Sequence, residues 1–152
     1  MLIGTLPLAA PTSAAALLAA ARQARSQGTA IALDVNWRPT FWDATADPGA
    51  GPSVAAKRAI QPLLDQAALI KLAREEALWF FNSDDPGTIQ QALAQRPDVV
   101  VTDGAFPVRW QLGDESGQQA SFHPPSVVDT TGAGDAFTAC LLYTSPSPRD
   151  RG

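Results

Sequence analysis

Short apolar runs alternate along the chain with longer stretches in which apolar residues recur every three to four positions. Leu2-Ile3-Gly4-Thr5-Leu6 reads as a buried strand that ends at a turn marked by Pro7. Thr12 or Ser13 is placed to cap a helix that runs to about Gln27, with Gly28 as its left-handed stop. A second strand, Ala30-Ile31-Ala32-Leu33-Asp34-Val35, leads into a Pro/Gly-rich loop from Arg38 to Pro52, and a helix follows to about Gln66. The run Ala68-Leu69-Ile70-Lys71 predicts a third strand ahead of an acidic helix start at Arg74-Glu75-Glu76. Asp85-Pro86 opens another helix to about Gln95, and Val99-Val100-Val101-Thr102 is a fourth strand. The alternating runs 108–112 and 119–122, separated by Asp114-Glu115-Ser116-Gly117, predict a β-hairpin.

Strands alternating with helices imply an α/β fold, a mainly parallel sheet with helices on both faces. In such sheets ligands lie beyond the carboxyl ends of the strands. Asp34, Asn36, Thr102 and Asp103 all stand at or just after predicted strand ends, so one crevice is expected to gather them.

Composition narrows the function classes. At 152 residues the chain fits one compact domain. Its net charge of -4 and scattered Lys and Arg leave no basic stripe to follow a phosphate backbone, so nucleic acid is not expected as a partner. A single cysteine, Cys140, excludes an internal disulfide, and the lone His123, read as structural, excludes a His-rich metal site. Both fit a reducing cytoplasm. The Ala14–Ala21 stretch lacks a preceding basic residue and continues into Arg22 and Arg25, as an amphipathic surface helix does and a signal peptide does not. No stretch approaches the roughly 20 apolar residues of a membrane span, so no membrane partner is expected. Trp37, Trp42, Trp79 and Trp110 are read as packing residues, with stacking on a sugar or base as the alternative use.

The candidate chemistry lies in Asp129-Thr130-Thr131-Gly132-Ala133-Gly134-Asp135. Small residues just before a helix start let backbone amides turn toward a ligand, and the positive helix end favours an anion. Asp135 is then placed to accept the proton of an attacking hydroxyl while the amides stabilise charge on a phosphoryl group in transfer. Gly-Ala-Gly-Asp alone equally describes a glycine-rich helix cap. A dinucleotide-binding loop is the weaker competitor, because Phe137 occupies the third glycine position of that fingerprint.

The longer run Val127-Val128-Asp129-Thr130-Thr131-Gly132-Ala133-Gly134-Asp135-Ala136-Phe137 resembles the C-terminal signature of the ribokinase, or PfkB-type carbohydrate kinase, family. The resemblance implies a ribokinase-like fold, Asp135 as catalytic base, and the amides of Gly132, Ala133 and Gly134 as the anion hole for ATP phosphates. It also implies that Asp129 and Thr131 help hold a monovalent cation, K⁺. Asp34-Val35-Asn36-Trp37-Arg38-Pro39, followed by Trp42, is similar to the Asp-x-Asn-x-Arg stretch of fructokinases and 2-keto-3-deoxygluconate kinases, which assigns Asn36 and Arg38 to the phosphate or sugar. Ile70-Lys71-Leu72-Ala73-Arg74-Glu75-Glu76 is similar to the region carrying an Asn-x-x-Glu motif. There Glu76 matches the glutamate that acts on Mg²⁺ indirectly, while Ala73 stands where many members have Asn. Thr102 and Gly104 resemble the Thr-x-Gly strand end near the nucleotide, with Pro107 in place of a later glycine.

The implied activity is ATP-dependent phosphorylation of a sugar hydroxyl, fructose to fructose 6-phosphate, with ATP, Mg²⁺ and K⁺ as cofactors and a homodimer as the assembly allowed for the parent. A 2-keto-3-deoxygluconate kinase is the alternative within the family. A non-catalytic nucleotide-binding domain and a dinucleotide-fold oxidoreductase are the alternatives outside it. The resemblance spans residues 2–139 and corresponds to the later-middle part of a family member. On that basis residues 1–139 are read as a partial kinase domain lacking its N-terminal sugar-binding and lid part and its C-terminal end, and the fragment is expected to be inactive alone. Residues 140–152 are read as a tail encoded by a sequencing-library adapter, beginning Cys140-Leu141-Leu142-Tyr143-Thr144-Ser145-Pro146.

Overall fold

The structure is a computed structural model that describes residues 1–122, 126–127 and 129–144. The reading of His123 as structural, and that of the tail from Ser145 onward, lie outside the described residues. The described chain forms two compact units, one spanning Met1–Ser121 and the other beginning at Phe122.

The first unit is built on a six-stranded sheet: β1 (Leu2–Gly4), β2 (Ala32–Asp34), β3 (Leu69–Ala73), β4 (Asp98–Asp103), β5 (Phe106–Leu112) and β6 (Glu115–Gln119), adjacent in chain order. β1 to β4 run parallel, and β5 and β6 return as an antiparallel hairpin. The parallel strands are joined through α1 (Pro11–Ser26), through α2 (Pro39–Trp42) and α3 (Val54–Leu64), and through α4 (Arg74–Phe81) and α5 (Pro86–Ala92). This is the expected α/β architecture with a mainly parallel sheet.

Strand alternation divides the core. Leu33, Val35, Ile70, Leu72, Val99 and Val101 join one apolar cluster with Ala56, Ile60, Leu63, Ala77 and Ile89 of the helices. Ala56, Ile60, Leu63 and Leu64 fall at the spacing of one helix face, which is why α3 docks where it does. The opposite-parity residues Ala32, Asp34, Lys71 and Val100 are buried as well. Both faces of the central strands are therefore covered, as is usual in parallel sheets.

Two helix starts are capped by side chains. Asp85 caps α5, accepting the Thr88 amide at 2.7 Å, with Pro86 in the first turn. Ser53 caps α3 through the Ala56 amide. α1 departs from expectation: it starts at Pro11, and Ser13 donates its hydroxyl to the Pro7 and Ala10 carbonyls instead of capping. Gly28 adopts φ 75° just beyond α1, as expected of its stop.

The hairpin also corrects the sequence reading. Its loop is only Gly113-Asp114, and Glu115, Ser116 and Gly117, expected in the turn, belong to β6. The cause is a cross-strand contact. Gly117 pairs with Trp110, and a Cβ on Gly117 would come within 2.5 Å of the indole. Glycine is there to admit the ring, not to turn the chain. All four tryptophans pack: Trp37 lies in the core with its ring 5.5 Å from that of Trp42, and Trp79 covers Gly51.

The second unit contains α6 (Ala133–Thr144). The helix includes Cys140-Leu141-Leu142-Tyr143, the first residues of the stretch read above as a tail. Among the described residues no helix is long and apolar enough to cross a membrane.

Candidate functional site

In the first unit, the adjacent carboxyl ends of β2, β3 and β4 bring three predicted segments side by side. Asp34 ends β2, buried, with Lys71 of β3 as its register partner. The Lys71 ammonium donates to both carboxylate oxygens, at 3.2 and 3.3 Å. Asp34 is thus part of an ion pair within the sheet, at the same carboxyl edge as Asn36, Thr102 and Asp103.

Beyond Asp34 the backbone makes an uncommon turn. Asn36 is left-handed at φ 42°, a conformation Asn tolerates better than most residues. Two contacts hold the turn: the Trp37 amide donates to Glu76 Oε1 at 2.6 Å, and the Trp37 indole donates to the Ala50 carbonyl at 2.8 Å. Asn36 is half-buried and Arg38 is exposed at the head of α2, so the turn presents the guanidinium outward.

Glu76 sits in the first turn of α4, and its other oxygen accepts the Ala73 amide at 2.7 Å. This is one half of a capping box; Ala73 has no side-chain oxygen to supply the other half. Burial pushes the Glu76 carboxyl up, against the Ala73 and Trp37 amides and the Lys71 charge, which pull it down. Each Glu76 oxygen thus accepts one backbone amide. Among the described residues no cluster of three or more His, Cys, Asp or Glu side chains is arranged to hold a metal ion.

At the end of β4, the Thr102 hydroxyl is turned to the Leu72 carbonyl at 3.4 Å, and Gly104 takes φ 53° in the turn to β5. Next to it lies a cluster the sequence reading missed. Asp84 accepts from Arg74 at 2.8 Å and from Arg109 at 2.9 Å, and Arg74 also approaches Asp103 at 3.8 Å. Arg109 first, then Arg74, holds Asp84 below the usual carboxylate range. The sequence separations within this cluster correspond to no helical or strand period, so no local signal announces it.

The second unit carries the glycine run. Asp129 Oδ1 accepts the Thr131 amide at 2.9 Å and the Thr131 hydroxyl at 2.8 Å, a local turn that holds its carboxyl below the usual range. The Ala133 amide closes onto the Thr130 carbonyl at 3.1 Å, and the Ala136 amide onto Gly132 at 2.9 Å. Gly132 stands at φ 77°, where a side chain would be strained although nothing lies within 4 Å of its Cβ position. The backbone angle alone demands glycine. Gly134 and Asp135 follow in the first turn of α6, where amides have no intrahelical acceptor, so the segment fits an anion. Asp135 is exposed there.

Residues 2–149 match the pfkB family carbohydrate kinase. The chain belongs to that family. Fructokinase-2 of Oryza sativa subsp. japonica is 33% identical over 144 residues, which cover 91% of this chain and 40% of that protein. The fructokinase of Xylella fastidiosa, solved with bound ATP, superposes with a TM-score of 0.77 at 28% identity over 94% of this chain and 43% of that one. The fructokinase of Vibrio cholerae O395, solved with fructose, ADP and a calcium ion, gives 0.73 and 28% over 93% and 44%. This pfkB family member therefore spans about two-fifths of the length of these relatives. The fold they share is the ribokinase-like α/β fold expected above.

Proposed function

We propose that the protein carrying this chain transfers the terminal phosphoryl group of ATP to a sugar hydroxyl, with fructose as acceptor and fructose 6-phosphate as product. The observation that carries the reading is the glycine turn, left-handed at Gly132, that opens α6 one turn ahead of an exposed carboxylate at Asp135. Family membership and the fructokinases among its relatives support it.

The residues of each unit are assigned separately. In the second unit, Asp135 takes the proton from the sugar hydroxyl as its oxygen bonds to phosphorus and the bond to the ADP oxygen breaks. The amides of Gly132 and Gly134 stabilise negative charge on the phosphoryl oxygens, while the Ala133 amide between them is held by the Thr130 carbonyl. Asp129 and Thr131 hold a monovalent cation. In the first unit, Arg38 and Asn36 contact phosphate or sugar, Thr102 and Gly104 border the nucleotide, and Glu76 has an indirect part toward Mg²⁺. When bound with the nucleotide, Mg²⁺ offsets charge on the phosphates. Because relatives solved with nucleotide are more than twice as long as this chain, activity is assigned to the longer protein and not to these 152 residues alone.

The test is a coupled assay on the reading frame extended at both ends to the length of the relatives. Formation of ADP and fructose 6-phosphate in step is the expected result. Turnover with 2-keto-3-deoxygluconate and not with fructose would reassign the acceptor. Binding of ATP without transfer to any sugar would replace the kinase with a nucleotide-binding module.

A further inference from the structure

Four charged side chains meet beyond the end of β4, and the proposed reaction uses none of them. Arg74 opens α4, Asp84 lies in the connection from α4 to α5, Arg109 is in β5, and Asp103 ends β4. Both guanidiniums converge on one oxygen, Asp84 Oδ2, with Arg74 Nε at 2.8 Å and a terminal nitrogen of Arg109 at 2.9 Å. Arg74 Nε also stands 3.8 Å from Asp103 Oδ2. The Asp84 and Arg109 side chains are 30% and 32% exposed. Ion pairs so open to water add little to stability, so the cluster matters more for what it holds in place.

What it holds is a β-bulge. Val101 pairs with Arg109 and Asp103 with Phe106, so two β5 residues, Pro107 and Val108, stand opposite Thr102 alone. Pro107 suits that place, because a bulge leaves one residue outside the ladder and proline has no N–H to offer it. By strand alternation Val101, Asp103 and Arg109 share one face, and Thr102 belongs to the other. The charged cluster thus grips the strand pair at both ends of the bulge, from behind Thr102. The Thr102 hydroxyl donates only a long bond, 3.4 Å to the Leu72 carbonyl, and keeps its lone pairs for a ligand.

We propose that Asp84 is a positioning residue for the nucleotide. It holds Arg109 at one end of the bulge and, through Arg74, Asp103 at the other, which sets where Thr102 and Gly104 stand and how tightly ATP is held. The proposal rests on the kinase reading for the nucleotide that these two residues border.

The sign of one substitution separates positioning from charge alone. Asp84→Asn removes a negative charge beside an anionic ligand, which by Coulomb attraction tightens ATP binding. If Asp84 positions the bulge, the same change weakens ATP binding by about five-fold, the upper worth of ion pairs this exposed. Calorimetric titration of the extended protein reads this, with KM for the sugar expected to stay within about two-fold. Because Asp84 acts in part through Thr102, Asp84→Asn is expected to cost less ATP affinity in a Thr102→Val background than in the unaltered protein. Amide exchange tests the grip itself. Raising NaCl from about 0.05 M to about 1 M screens the ion pairs. Exchange at residues 103–109 is expected to speed up relative to Ile70 and Val99, and Asp84→Asn is expected to abolish that response. Tighter or unchanged ATP binding, full additivity with Thr102→Val, or salt-insensitive exchange overturns the proposal. Should Asp84→Asn fail to fold, the salt response of the unaltered protein decides. If the unaltered extended protein binds no ATP, the kinase reading fails, and the exchange response alone decides whether Asp84 holds the bulge.

Discussion

The Trp37 amide donates to Glu76 Oε1 at 2.6 Å across 39 residues of sequence, tying the turn after β2 to the first turn of α4. The same carboxylate accepts the Ala73 amide. Replacing Glu76 by Ala leaves two amides without their acceptor, and an orphaned buried donor costs about 1–3 kcal/mol. Glu76→Ala is therefore expected to lower unfolding stability by roughly 2–5 kcal/mol, measured by urea denaturation. A loss under about 0.5 kcal/mol, the range of an ordinary surface change, would mean the clamp is not formed.

The half-built capping box invites the opposite change. Ala73 precedes α4 with φ -71° and ψ 156°, an N-cap geometry lacking only a side-chain acceptor for the Glu76 amide. Ala73→Asn restores the Asn-x-x-Glu pattern and is expected to raise stability by about 1 kcal/mol, visible as a higher urea midpoint at unchanged slope.

Glu76 also gives stability a pH signature. Its carboxyl is raised above the ordinary 4.5 in the folded chain, chiefly by burial. The folded state then binds the proton more tightly than the unfolded one, so this contribution is full below 4.5 and is lost as pH rises through the raised value. Asp84, held low first by Arg109, acts with the opposite sign at lower pH. The measurement is the difference in unfolding free energy between the chain and Glu76→Gln across this window. The difference is expected to fall with rising pH, and a flat difference would contradict the burial argument.

Gly117 tests the hairpin. Any Cβ there collides with the Trp110 ring, so Gly117→Ala is expected to destabilise by about 1–3 kcal/mol. Trp110→Val should relieve part of that loss in a double-mutant cycle.

What was legible in the sequence depended on how local its cause is. Asp85-Pro86 announces α5 because cap and first turn are neighbours in the chain. The Asp129–Gly132 turn and the start of α6 are legible for the same reason. Glu115-Ser116-Gly117 looks like a turn in sequence because the reason for Gly117 is a ring on the facing strand. The ion pair of Asp34 is not legible, because its partner Lys71 is 37 residues away and looks, in sequence, like any exposed strand lysine. The Arg74–Asp84–Arg109 cluster was invisible on the same grounds. Glu76 was singled out through its resemblance to a family motif, but its bond to the Trp37 amide appears only in three dimensions.

In the proposed reaction the carboxylate of Asp135, in the first turn of α6, takes the proton of the accepting alcohol. Single-turnover phosphorylation of fructose by the extended protein and its Asp135→Asn variant tests it most directly, with ATP affinity measured alongside. The variant's rate is expected to fall by about 10²–10⁴-fold, the contribution of a positioned general base, while ATP binds within a few-fold of normal. A variant that phosphorylates fructose at close to the unaltered rate would contradict it.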